Sequence, residues 1–341
     1  MPTIKILLDQ IFPYGDEALA HPDFRVEQVT FHTFLPGRLR PFYHVFELYI
    51  KSFGHDVVIG NRRTVLLLGL LYRLHKPRGV ALIGYEMIFN FKDNMRNKAI
   101  VTVWKQAVRA IDRLVVHTLG EVSYLAQAFA APPDKFTFIP FYTEEADYLG
   151  PADDGYVFSA GRMERDFVTL LEALQGTEIP VVIVASQAQR TTLEAYTTPY
   201  TQFFFDIPKK QYLTLLQGAR MVVISLKDGR SSRGQVVFLE AMKYGKPAIC
   251  SRVGGIAEYV DDGQTGWLVD PEDPAKLREL VLRYFPDIEA LQAVGQRAYQ
   301  ERARRYSPEA FHRSYHALIQ EVYQQQYSNK RVGVADDTKA V

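Results

Sequence analysis

The sequence predicts an α/β protein of two Rossmann-like, doubly wound domains facing across a cleft, with a C-terminal helix. Three observations carry that expectation. Short β-rich runs alternate with helix-spaced segments in both halves of the chain, the mark of βα units around parallel sheets. A polar, turn-rich segment, YTEEADYLGPADDG at 142–155, separates the halves. A chain of 341 residues, 47% hydrophobic and 23% charged, is ordinary globular material and long enough for two cores.

In the first half IKILLD, RVEQVTF, DVVIG, VALIGY and RLVVHT read as strands, with PFYHVFELYIKSF and KAIVTVWKQAVRAI among the helices between them. The second half repeats the plan with YVFSAG, PVVIVAS, TQFFFD, MVVISL, PAICS and GWLVD. A boundary near 150 gives one domain over 1–150 and another over 151–325. The latter closes on SPEAFHRSYHALIQEVYQQQ, a helix with Ser307 as N-cap and Pro308 in its first turn. Residues 326–341 lack apolar periodicity and are expected to form a disordered tail.

Composition narrows the function. A single cysteine, Cys250, leaves no internal disulfide framework and fits a reducing cytoplasm. The start MPTIKILLDQIF reads as a strand and not a signal peptide, and the tight apolar run VLLLGLLYRL has about half the length of a membrane span. The expectation is a cytoplasmic protein, soluble or peripheral at the inner face of the membrane. Residues 38–113 hold 14 Lys/Arg against 5 Asp/Glu, and RPFYHVFELYIKSF and NRRTVLLLGLLYRLHKPR mix basic, aromatic and apolar residues. That mixture suits an anionic membrane surface, although Rossmann helices with basic ends would be written in the same letters. The basic residues come without a nucleic-acid-binding module, so no nucleic acid partner is expected.

Ligands of doubly wound sheets bind at the carboxyl ends of the strands, so the loops there are the places to search. After MVVISL, the loop KDGRSSRGQ leads into a helix around VVFLEAMKYG, and a glycine-preceded helix start binds anions through its backbone N–H groups. Gly234 permits close approach, and Ser231, Ser232 and Gln235 offer hydrogen bonds. Glu240 stands one and a half turns further on among apolar neighbours, where its carboxylate can reach the hydroxyls of a sugar whose phosphates rest on the helix start. A buried acid there needs a partner. After YVFSAG come Arg162 and Arg165, whose guanidinium forks match diphosphate oxygens.

These segments resemble glycosyltransferase family 4, retaining enzymes of the GT-B fold that use nucleotide sugars. The likeness rests on SAGRMERDFVTLLEAL (159–174), GQVVFLEAMKYGKPAI (234–249) and VGGIAEYVDDGQTGWLVDPEDPAKL (253–277), in the family's order and spacing. The resemblance implies that the first domain handles the acceptor and the second binds the donor. It implies further that Arg162 and Arg165 hold the donor diphosphate and that Glu240 bonds the ribose hydroxyls. The backbone of Gly234, Gln235, Val236 and Val237 would cradle phosphate and sugar. The family's other acid, eight residues before the ribose acid, is Ser232 here, as in a subgroup with a Ser, Gly, Gln signature. The paired glycines of the family's first loop are reduced to Gly15.

On this resemblance the expected activity is metal-independent transfer, with retention, from a nucleotide-diphosphate sugar to a glycan or lipid-linked acceptor, with no cofactor. Glu86, at the end of VALIGY, and His117, after RLVV, are the acceptor-side candidates. The alternatives are a loop acid paired with a base such as Lys92 and a satisfied packing histidine. His312 and His316 read as structural. A non-catalytic sugar-nucleotide scaffold and a GT-B epimerase are the competing functions.

Overall fold

The computed structural model describes residues 3–9, 19–30, 38–87, 95–152, 155–162, 165–228 and 233–337, with 95–98 and 329–337 described by backbone alone. Gly15, Lys92, Ser231 and Ser232 lie outside the described residues. The chain divides into two compact units, residues 1–140 with 311–341, and residues 141–310.

The first unit is a six-stranded parallel sheet. Its strands are β1 (Ile4–Asp9), β2 (Phe24–Val29), β3 (Val57–Asn61), β4 (Ala81–Tyr85), β5 (Arg113–Val116) and β6 (Phe136–Phe138), in spatial order β2-β1-β3-β4-β5-β6. Strands β3 and β4 are apolar along nearly their whole length because helices and chain cover both faces of a parallel sheet. Helices α1 (Arg40–Ser52), α2 (Arg62–Leu74), α3 (Met95–Ala110) and α4 (Leu119–Phe129) pack one against the next in a single layer. Asn61 caps α2 by accepting from the Arg63 and Thr64 N–H groups, and Thr118 caps α4 through the Glu121 N–H. Five of the strands follow the sequence expectation; the three-residue β6 is too short to show a pattern.

The second unit holds β7 (Val157–Ala160), β8 (Val181–Ala185), β9 (Thr201–Phe205), β10 (Met221–Ile224), β11 (Ala248–Ser251) and β12 (Trp267–Val269), all parallel, in order β12-β11-β10-β7-β8-β9. Helices α5 (Phe167–Ala173), α6 (Arg190–Glu194), α7 (Lys209–Gln217), α8 (Gln235–Lys243), α9 (Pro274–Tyr284) and α10 (Ile288–Arg305) connect and flank them. Cys250 is wholly buried in β11. The fold is GT-B: two Rossmann-like parallel sheets with their helices.

Two boundaries differ from the sequence expectation. The units divide at Pro140 and not near 150, because the intervening backbone is bonded into the second unit. Thr143 N–H donates to Tyr306 O at 3.0 Å, Leu149 and Gly150 donate to Tyr244 O, and buried Arg302 donates to the Thr143 and Glu144 carbonyls. The terminal helix α11 (Pro308–Asp337) is capped by Ser307 as expected, but from Phe311 onward it belongs with the first unit. There Arg113 meets Glu321 at 2.7 Å, Gln326 meets Asp112 at 2.8 Å, and the His316 ring packs on His21 and Phe24. Residues 326–337, expected to be disordered, continue α11. Gln, Lys, Arg and Ala are good helix formers, and a started helix propagates without an apolar face.

Candidate functional site

The order of the second sheet reverses between β7 and β10, and the carboxyl ends of these strands carry the residues that the sequence singled out. β7 ends at Ala160 and is followed by Gly161 at φ +146°, where a Cβ would stand 2.0 Å from Arg165 Nε. Glycine there lets Arg165 fold back and donate to the Ala160 carbonyl at 2.8 Å. Burial lowers the pKa of this guanidinium to about 10. Arg162 is different: its side chain is exposed, with Nε 3.6 Å from Asp206 Oδ1.

Beyond β10 the chain enters α8 through Gly234 at φ +85°, where a Cβ would lie 2.7 Å from Ile256 Cδ1. That left-handed conformation against a packed neighbour calls for glycine. No side chain caps the start of α8 among the described residues. Gln235, in the first turn, is buried, and its Nε2 has no hydrogen-bond partner among the described residues. Val236 is exposed and Val237 buried, and both line a pocket of about 350 Å³.

Glu240 and Arg162 line the same pocket, as do Asp206, Lys209 and Tyr212. The partner that Glu240 needs is Tyr212, on α7, whose hydroxyl donates to Oε2 at 2.5 Å. Burial raises the Glu240 carboxyl above its ordinary value, against the pull of the Tyr212 hydrogen bond and of Lys209 and Lys243. Burial also lifts the Tyr212 phenol well above its usual range, reinforced by the carboxylate it touches. The Tyr212 ring leans on Phe158 at 5.8 Å, which fixes the hydroxyl.

The structure thus gathers Arg162, Val236, Val237 and Glu240 in one pocket, with Gly234 and Gln235 at its helix start. Arg165 instead lines a neighbouring cleft with Asp166 and Lys227, although its charge still acts on Tyr212. Tyr212 was missed by sequence reasoning. The need of a buried acid for a donor announced that such a residue exists, but not where.

On the first unit, Glu86 follows β4 in a left-handed conformation (φ +50°), near the Tyr85 and Tyr315 phenols. His117 is fully buried after β5; its Nδ1 hydrogen-bonds with Ile139 O at 2.8 Å, and its backbone N–H donates to Glu121 Oε2 at 3.2 Å. Burial lowers its pKa to about 4, so it is neutral at neutral pH. A second buried group at this edge was also missed: Asp9 accepts from Asn61 Nδ2 at 2.6 Å and meets His44 Nε2 at 2.7 Å. Among the described residues no group of three or more His, Cys, Asp or Glu side chains is placed to hold a metal ion.

Comparison with known proteins bears first on the second unit. Residues 143–301 match the family model of glycosyl transferases group 1. The chain is 26% identical over 199 residues to a D-inositol 3-phosphate glycosyltransferase of Acidothermus cellulolyticus, covering 50% of this chain and 44% of that protein. It is 34% identical over 115 residues to the D-rhamnosyltransferase WbpZ of Pseudomonas aeruginosa, covering 32% and 30%. The chain therefore spans less than half the length of either relative. In fold it is similar to Anabaena HepE in complex with UDP (TM-score 0.71, 15% identity, covering 94% of this chain and 100% of that one). It is also similar to the sucrose-phosphate synthase of Thermosynechococcus elongatus (TM-score 0.68, 18% identity, 94% and 100%). The second unit is thus similar in sequence to glycosyl transferases group 1, and the whole chain shares the fold of these two solved structures.

Proposed function

We propose that the protein is a retaining, metal-independent glycosyltransferase of family 4 that moves a sugar from a nucleotide-diphosphate sugar to a glycan or lipid-linked acceptor in the cytoplasm. The observation that carries this reading is the Glu240 carboxylate, held by Tyr212 in a pocket shared with Arg162 and the start of α8. A nucleotide sugar needs three things of such a site: acceptors for ribose hydroxyls, positive potential for two phosphates, and backbone close enough to touch them. Glu240 Oε1 and Oε2 supply the first. Arg162 and the uncapped N–H groups behind Gly234 supply the others.

As the glycosidic bond to the diphosphate lengthens, negative charge gathers on the leaving oxygens, and the helix start and Arg162 stabilise it there. Arg165, behind the pocket, keeps the potential positive without touching the ligand. Ser232 and the buried Gln235 amide stand nearest in sequence to where the transferred sugar would lie, and Glu86 is the acceptor-side candidate. The UDP and UDP-glucose complexes of HepE, together with the glycosyltransferase relatives, support a sugar nucleotide as the donor.

The test is a thermal-shift screen against UDP-, GDP-, ADP- and TDP-sugars with Glu240→Ala and Arg162→Ala as controls. Stabilisation by one sugar nucleotide, lost in both variants, is the expected result. Turnover of that donor with an acceptor panel in EDTA, and the anomeric coupling of the product, then test metal independence and retention. Stabilisation without turnover would favour a scaffold, and a changed sugar nucleotide formed without acceptor would favour an epimerase.

A further inference from the structure

Helix α1 is apolar on two sides. One side, Val45 and Leu48 with His44 and Ser52, is buried against the first unit. The other carries Leu39, Phe42, Phe46, Ile50 and Phe53, spaced three or four residues apart and each more than half exposed. This spacing makes one continuous stripe along the helix. At its far end the Phe53 ring stacks on His75, which follows the highly exposed Leu74 at the end of α2. Ile100 and Val103 on α3 are exposed in the same helical layer.

The charge around this stripe is one-sided. Helices α1, α2 and α3 carry nine Lys/Arg and a single acid, Glu47, and Arg38 precedes them. Lys51 is engaged with Glu27 and Glu47, whereas Arg38 and Arg63 are exposed. An apolar, aromatic stripe within a cationic layer fits the boundary between headgroups and acyl chains, where phenylalanines enter the apolar zone and arginines meet anionic headgroups. A second copy of this chain is a poorer occupant. A two-fold pairing through this face would set one cationic layer against its own copy.

We infer that the outer face of α1, with the adjoining ends of α2 and α3, docks the protein on an anionic lipid surface. The inference goes beyond the donor reading and does not depend on it, since docking is read without turnover. No helix among the described residues is long and apolar enough to cross a membrane, so the contact is peripheral.

The experiment is flotation of the full chain with vesicles of phosphatidylcholine alone and of phosphatidylcholine with phosphatidylglycerol. The wild type should float only with the anionic vesicles. Phe42→Glu with Phe46→Glu should cut partitioning by at least about tenfold, as expected for withdrawing two aromatic side chains from the apolar zone. Arg63→Ala should cut it about fivefold, the effect of one surface cation. Both changes lie at exposed positions, and unchanged melting with an unchanged nucleotide-sugar shift shows that the fold and donor site are intact. No flotation with either vesicle overturns the proposal, as does flotation indifferent to the two phenylalanines. Self-association that the double variant abolishes, or binding to an acidic protein without binding to vesicles, would assign the face to a protein partner and overturn it equally.

Discussion

The two units answer the same topological rule in opposite ways. In each sheet the strand order reverses once, between β1 and β3 in the first unit and between β7 and β10 in the second, and ligands favour such points. At the second unit's reversal, glycines at 161 and 234 strip side chains from the strand ends, and a pocket remains that ends on Glu240. At the first unit's reversal, Asp9 and Asn61 fill the strand ends with their own hydrogen bonds, and His44 completes the group from α1. Topology offers the opening, and the side chains decide whether a ligand or the protein itself occupies it. The units also differ at the surface: most large hydrophobic side chains exposed among the described residues belong to the first.

Four experiments would break or sharpen that contrast. The largest effect belongs to the closed edge. His117 titrates near 6.5 in the unfolded chain and near 4 in the folded one. The stability it contributes is therefore whole above pH 6.5 and is lost as pH falls to 4, about 3 kcal/mol in all. Denaturant unfolding at pH 7.5 and pH 4.5 should show that loss, and His117→Asn should flatten it. An unchanged slope would mean that the histidine is not held neutral.

At the open edge, Glu240→Ala should weaken nucleotide-sugar binding by about 10- to 100-fold, the cost of losing a charged acceptor from buried hydroxyls. Calorimetry would measure it, and undiminished affinity would refute the ribose assignment. Tyr212→Phe should weaken binding only about fivefold, the value of a typical hydrogen bond. Because the Tyr212 bond lowers the Glu240 pKa, its removal should also raise that carboxyl further, a shift that 13C NMR titration can follow. The smallest effect concerns the terminal helix. Glu321 is more than half exposed, so Glu321→Gln should cost less than about 1 kcal/mol, and a larger loss would make the Arg113 pair a true anchor of α11.

Much of the second unit could be read from the chain alone. Its six strands, Gly234, and an acid five residues past Gln235, half-buried rather than enclosed, all lie in short segments where local pattern carries the signal. What escaped depends on residues brought together from afar. Tyr212 lies 28 residues from Glu240, and Asp9 lies 35 from His44, so no local spacing links them. Arg162 and Arg165 looked like equivalent clamps, yet the open backbone at Gly161 turns one inward and leaves the other to the pocket. The outer stripe of α1 was visible only as ambiguous letters, because an amphipathic pattern does not say which apolar face a neighbour covers. Exposure of Phe42 and Phe46 shows which face of α1 the described residues leave uncovered.

The position of Cys250 gives the molecule an internal clock. It is the chain's sole thiol, it is wholly enclosed in β11, and burial holds its ionisation well above the usual thiol range. A thiol-specific alkylating reagent can reach it only when the second unit opens, and the first unit offers that reagent no thiol. Mass spectrometry of the adduct therefore times the opening of one half of the unmodified protein, while circular dichroism follows both.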